Sequence, residues 1–137
     1  MYLLDTCVVS ETRNKRPNEN VIRWLSSRDP NELFISSITL GEIKKGICSL
    51  DDTRKASRLQ AWLSEIETDF SGRIKSVNVT VAEQWGEIMA TAAKNGKPRP
   101  PIDALIAATA KVDSLILVTR NVDDMAFMGV KLINPFK

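Results

Sequence analysis

Short apolar runs, each cut off by a polar residue, constrain the fold of this chain more than any other feature. The clearest are Tyr2–Leu4, Leu33–Ile35 and Leu115–Val118, with a last short run at Val130–Ile133. Runs of this length suit strands of a parallel sheet covered by helices on both faces. The first begins directly after Met1 and stops at Asp5. Chain ends fray unless they are tied down, so so apolar a start predicts an N-terminus threaded into the sheet. Asp5 then falls at the carboxyl end of a strand, where open α/β sheets place their ligands. It would serve equally well as the cap of a following turn or helix.

Helical patterns fill the spaces between these runs. Ser10-Glu11 and Asn18-Glu19-Asn20 read as polar helix starts, with Pro17 as a break between them. Val21, Ile22 and Leu25 predict an amphipathic helix over 18–28, followed by a turn at Asp29-Pro30-Asn31. Ser36 or Ser37 can cap a helix whose apolar face is Ile38, Ile43 and Ile47, with Glu42 about one turn inside it. A longer helix over 52–69 carries the stripe Leu59, Trp62, Leu63 and Ile66, closed by Ser71-Gly72. Ile74–Val79 reads as a strand with polar residues interleaved. Thr80 then caps a helix with Val81, Trp85, Ile88, Met89 and Ala92 on its buried side, ended by Asn95-Gly96. Lys97-Pro98-Arg99-Pro100-Pro101 is a stiff loop, because each proline fixes its own φ and extends the residue before it. A small-residue helix, Ile102–Ala110, follows and can lie close against a sheet. Helices alternating with short strands predict an α/β fold with a mainly parallel central sheet, in one domain over 1–137.

Composition matters chiefly for what it excludes. The chain has no histidine, which removes His-based acid–base catalysis, Ser-His-Asp and Cys-His nucleophile systems, and the usual zinc sites. Cys7 and Cys48 have no metal-ligand or redox spacing and are expected as reduced, partly buried thiols. No apolar run is long enough to span a bilayer, and the leading run has no basic flank or cleavage site, so a cytoplasmic protein without a membrane role is expected. The net charge of +2 is too small to indicate nucleic-acid binding by itself. The layout is more informative. Arg13, Lys15 and Arg16 follow the first strand, Lys44 and Lys45 follow Glu42, and Lys94, Lys97 and Arg99 precede Asp103. Such clusters suit a phosphate track as well as an ordinary solvated surface.

Four carboxylates share a position relative to the predicted sheet. Asp5 follows the first strand and Asp124 lies five residues beyond Thr119, while Glu42 and Asp103 occupy the first turns of helices. With parallel strands, all four face one crevice. Two carboxylates ~5 Å apart repel by about 3 kcal/mol at an effective dielectric of ~20. Four together require protons or a cation, and a hard ion such as Mg²⁺ or Mn²⁺ takes oxygen ligands of this kind. Each acid taken alone also reads as a cap, a solvated helix residue or a polar turn. Thr6, Ser10, Thr119 and Asn121 supply neutral hydrogen-bonding groups nearby.

The blocks L-L-D-T-C-V-V-S-E (3–11), I-T-L-G-E-I-K-K-G (38–46), P-P-I-D-A-L-I-A-A-T-A (100–110) and V-T-R-N-V-D-D (118–124), with G-V-K-L-I-N-P-F (129–136), resemble a PIN domain. More narrowly, they look like the VapC/FitB-like toxin ribonucleases of toxin–antitoxin pairs, in the same order and over essentially the whole chain. The resemblance implies a three-layer α/β/α fold and a Mg²⁺- or Mn²⁺-dependent endoribonuclease acting on structured RNA such as transfer RNA. It implies Asp5, Glu42, Asp103 and Asp124 as catalytic, metal-site acids, supported by Thr6, Thr119 and Asn121. It further implies toxin homodimers and a VapB-like antitoxin that occupies the acidic crevice, in a hetero-oligomer that binds operator DNA through the antitoxin. One departure concerns the fourth acid: the family often has Phe directly after it, whereas Met125 follows Asp124 here and Phe127 comes later. Either Asp123 or Asp124 can then face the metal, and the distance from Thr119 favours Asp124.

The expected chemistry is in-line hydrolysis of an RNA phosphodiester by a metal-activated water, leaving a 5′-phosphate. Lys44, Lys45, Lys97, Arg99 and Arg120 are the candidate RNA rim. Two other readings compete. One is a receiver-type phospho-acceptor domain, which fits poorly because no strand here ends in the required aspartate or lysine beyond Asp5. The other is an RNA- or protein-binding module without catalysis.

Overall fold

A computed structural model describes residues 1–137. Its centre is a five-stranded, all-parallel sheet built from β1 (Tyr2–Leu4), β2 (Leu33–Ser36), β3 (Ile74–Lys75), β4 (Ile116–Val118) and β5 (Leu132–Ile133), in the order β3-β2-β1-β4-β5. The chain adds strands to one side of β1 up to β3, then crosses to the other side for β4 and β5. This reversal makes the gap between β1 and β4 a topological switch point. Tyr2 pairs with Leu33 on one side and Ile116 on the other, and Leu4 with Val118. The N-terminus is tied down as expected: the Ile116 amide donates to the Met1 carbonyl at 3.0 Å.

Side chains of β1 and β4 alternate between two separate cores, as the two-residue period of a strand requires. Leu3 and Leu117 pack with α5 (Val79–Lys94) and α6 (Pro101–Val112) on one face. Leu4 and Val118 pack on the other face. There they meet α1 (Thr6–Glu11), α2 (Glu19–Ser26), α3 (Ser37–Cys48) and α4 (Thr53–Asp69). The result is a three-layer α/β/α fold. Ala104, Ala107, Ala108 and Ala110 of α6 are completely buried, so the small residues bring this helix close against the sheet. No helix is long and apolar enough to cross a membrane.

Several boundaries differ from the sequence reading, each for a local reason. Ser10-Glu11 ends a helix rather than starting one, because Asp5 itself caps α1 by accepting the Thr6 amide at 2.8 Å. The strand expected over Ile74–Val79 stops at Lys75. Beyond it Val77 and Val79 are exposed, and Asn78, not Thr80, caps α5 by accepting the Val81 amide at 2.9 Å. Leu115 lies before β4, in a turn where Ser114 takes φ +54° and the Leu115 amide donates to Ala110. The last strand keeps only Leu132–Ile133 of Val130–Ile133. A four-residue helix, α7 (Val122–Met125), was not evident from the sequence. Both cysteines are free, but Cys48 is exposed rather than partly buried, since it ends α3 on its solvent side.

The Asn78 cap gives a direct test of this local reading. Asn78→Ala removes the only side-chain acceptor at the start of α5 and should cost about 1 kcal/mol. Thermal unfolding followed by circular dichroism should show a Tm lower by a few degrees. Thr80→Ala should leave it unchanged.

Candidate metal centre

The site starts from Asp5, which leaves β1 at the switch point and is only 4% exposed. A buried carboxylate needs hydrogen-bond donors, and three reach it. Its Oδ1 accepts the Thr6 amide at 2.8 Å, while Oδ2 accepts the Thr119 hydroxyl at 2.7 Å and the Cys7 thiol at 3.6 Å. Asp5 is therefore both the helix cap and the acid at the strand end, so the two readings of this residue coexist. Thr119 is fully buried and follows β4, so its bond to Asp5 spans the switch point. The Thr119 oxygen also accepts the Asn121 amide at 3.0 Å, which steers the chain into α7. Thr119 thus meets Asp5 directly, whereas Asn121 reaches the site only through its backbone amide.

Glu42 is joined to the same end through Thr6. The Thr6 hydroxyl donates to Glu42 Oε1 at 2.6 Å, which uses its single proton. Thr39 must then be the donor in the 3.0 Å contact between the Thr6 and Thr39 hydroxyls. Thr39 is fully buried and one turn before Glu42 on α3. The sequence reading did not include it, although its i, i+3 spacing to Glu42 was the available signal.

Asp103 stands in the first turn of α6, within reach of the charges of Asp5, Glu42 and Asp124. Partial burial pushes its pKa up, and the charges of Asp5, Glu42 and Asp124 push it further in the same direction. Asp124, on α7, is the member of the Asp123-Asp124 pair whose charge reaches Asp103. Burial and the nearby Asp5 charge also raise the pKa of Cys7, which keeps that thiol protonated as a donor and unsuited to nucleophilic work.

These acids offer only oxygen donors, so a hard divalent cation suits them and a soft one does not. No three acidic side chains stand close enough to hold one ion between them. The set accordingly fits a hydrated ion such as Mg²⁺, held by one or two carboxylates with water completing its shell. Its one or two carboxylate ligands would be drawn from Asp5, Asp103, Glu42 and Asp124.

The cationic rim divides into separate pieces. Lys97 and Arg99 are brought together over the ring of Phe127. Lys44 donates to Gln60 of α4, and Arg120 lies over Phe136. Lys45 is exposed on α3. None of the five forms an ion pair, since the one salt bridge joins Lys75 to Asp113. On the Glu42 side, an open groove of about 330 Å³ runs past Thr6, Ser10, Arg13, Lys55 and Trp62.

The three-layer fold and the acids near its switch point set the frame for a comparison with known proteins. The chain belongs to the PIN-domain family, whose model matches residues 2–127. Within that family it is similar to toxins of the FitB and VapC type. It is 36% identical to Toxin FitB of Neisseria gonorrhoeae over 99% of both chains. It is 27% identical to the tRNA(fMet)-specific endonuclease VapC of Shigella flexneri, over 93% of this chain and 92% of that one. The solved structure of FitAB bound to an IR36 DNA fragment superposes with a TM-score of 0.93 at 34% identity, covering 100% of this chain and 96% of its counterpart.

Proposed function

We propose that this protein is a toxin endoribonuclease that depends on a divalent metal ion and acts in the cytoplasm. The observation that carries the reading is Asp103 within reach of the charges of Asp5, Glu42 and Asp124 near the switch point, with its pKa raised first by burial and then by those charges. An ion bound there would acidify a water ligand and offset the charge on a phosphodiester. The chain's own residues do the positioning. Thr119 and the Thr6 amide fix the Asp5 carboxylate, Thr6 orients Glu42, and Thr39 fixes Thr6. Cys7 adds a proton donor to Asp5 on its buried side.

Structured RNA, with transfer RNA foremost, is the proposed substrate, supported by the specificity in the name of the Shigella flexneri relative. A partner antitoxin over the acidic crevice is supported by the FitAB complex, and the DNA in that complex supports operator binding by the assembly. Homodimers of the toxin belong to the same proposal.

The test uses purified protein and total transfer RNA, with cleaved ends mapped by sequencing. Cuts leaving 5′-phosphates should appear with millimolar Mg²⁺ or Mn²⁺ and vanish with chelator. Because the ion binds the folded state, saturating Mg²⁺ should also raise Tm, by the equivalent of about 2.7 kcal/mol at a hundredfold excess over Kd. Cleavage that persists unchanged in chelator would overturn the metal requirement, and intact RNA under all conditions would overturn the nuclease.

A further inference from the structure

Phe127 is 66% exposed, in a turn between two buried neighbours, Met125 at 0% and Met128 at 3%. The Met128 amide donates to the Met125 carbonyl at 3.1 Å, and Gly129 leaves the turn at φ +74°. Met125, directly after Asp124, thus fills the core, and the aromatic ring is left displayed outside it. Two cations lie over that ring, with Lys97 Nζ 4.2 Å and Arg99 Cζ 5.3 Å from its centre. Neither forms an ion pair, and Arg99 Nε is shielded from solvent without a hydrogen-bond partner. Ile88, Ala92, Lys97, Arg99, Phe127 and Met128 line a depression of about 250 Å³ at this point.

The feature lies close in the chain to two of the acids. Phe127 is three residues beyond Asp124, and Arg99 is four residues before Asp103. The cations sit in the Lys97–Pro101 segment, where three prolines limit backbone freedom and hold the charges in place.

We propose that Phe127, Lys97 and Arg99 form a stacking platform for an unpaired base of the RNA next to the cleavage site. Phe127 supplies the ring, and Lys97 and Arg99 take the adjoining phosphates. The inference rests on the ribonuclease reading and adds to it a preference for single-stranded or flipped-out nucleotides. An aromatic face bordered by unpaired cations is the arrangement that single-strand binding uses, with bases on rings and phosphates on the charges. A base has more surface to offer Phe127 than an exposed ammonium does. Stacking on it therefore displaces Lys97 from the ring toward a phosphate at little cost.

The test measures binding in the Asp5→Asn background, so that cutting does not interfere. The probes are fluorescently labelled oligoadenylate and a blunt RNA duplex of equal length. Phe127→Ala should weaken oligoadenylate binding about tenfold and leave the duplex unaffected, while Phe127→Trp should preserve or tighten it. Lys97→Gln should lower the salt dependence by about one unit of slope. Oligoadenylate binding equal in Phe127→Ala and the parent, or equal losses on both probes, would overturn the platform. So would conversion of a dimer to monomer by Phe127→Ala in light scattering, because a second copy would then be what covers the ring. The two readings fail separately. Phe127-dependent binding by a protein that cuts no RNA would defeat only the nuclease. Active cleavage with Phe127-independent binding would defeat only the platform.

Discussion

Asp5→Asn is expected to fold normally and to cleave RNA at least about 100-fold more slowly than the parent. Partners that merely orient a metal ligand are worth about 10–100-fold when removed, so a ligand itself should cost no less. Folding should survive because asparagine caps a helix about as well as aspartate, and its Oδ1 can keep the Thr6 amide. The Thr119 hydroxyl then meets an amide nitrogen and must turn, at a cost of about 1 kcal/mol. Single-turnover cleavage with circular dichroism as control decides the matter. Near-parental activity in a folded variant would remove Asp5 from the metal centre.

Asp103→Asn should move activity and stability in opposite directions. Cleavage falls by a similar factor of about 100, because a second ligand is lost. Stability without metal rises, because the carboxylate removed is partly buried and repelled by three others. The sign follows from proton linkage. The folded-state pKa lies above the ordinary 3.8, so between those values the native state holds more protons than the unfolded chain. Asp103's contribution to stability is therefore largest below pH 3.8 and declines as pH rises through that window, and the asparagine variant lacks this decline. Melting curves from pH 3 to 7 in chelator should show a higher Tm for the variant, with the gap opening as pH rises above 3.8 and then levelling off. Saturating Mg²⁺ should narrow or reverse the difference, because only the parent gains fully from the ion. An asparagine variant less stable than the parent in chelator at neutral pH would mean that the crowding of charge at this site is not real.

Short apolar runs and the alternation of helix with strand were legible in the chain because burial on both faces of a parallel sheet demands them. Asp5 could be placed at a strand end and Asp103 in a first helical turn for the same reason, whereas Glu42 lies in the second turn of α3 rather than the first. Helix starts were read less well where one side chain has two tasks. Asp5 caps α1 and also belongs to the acid cluster, so Ser10-Glu11 looked like the start of the helix that Asp5 in fact begins. Strand ends at the sheet edge were over-extended, since Val77 and Val79 have strand-like chemistry but no neighbour to cover them.

From sequence alone came the parallel α/β class, the absence of histidine and with it the turn toward carboxylate chemistry, and the four candidate acids. Only the tertiary structure decided that β1 pairs with both β2 and β4, putting Asp5 and Thr119 across one gap. It also decided that Thr39 supports Thr6 and that Phe127 is displayed beside Lys97 and Arg99. The division has one physical cause. Periodicity along a chain reports which side chains avoid water, whereas the meeting of residues 114 positions apart depends on strand order, which no local pattern encodes.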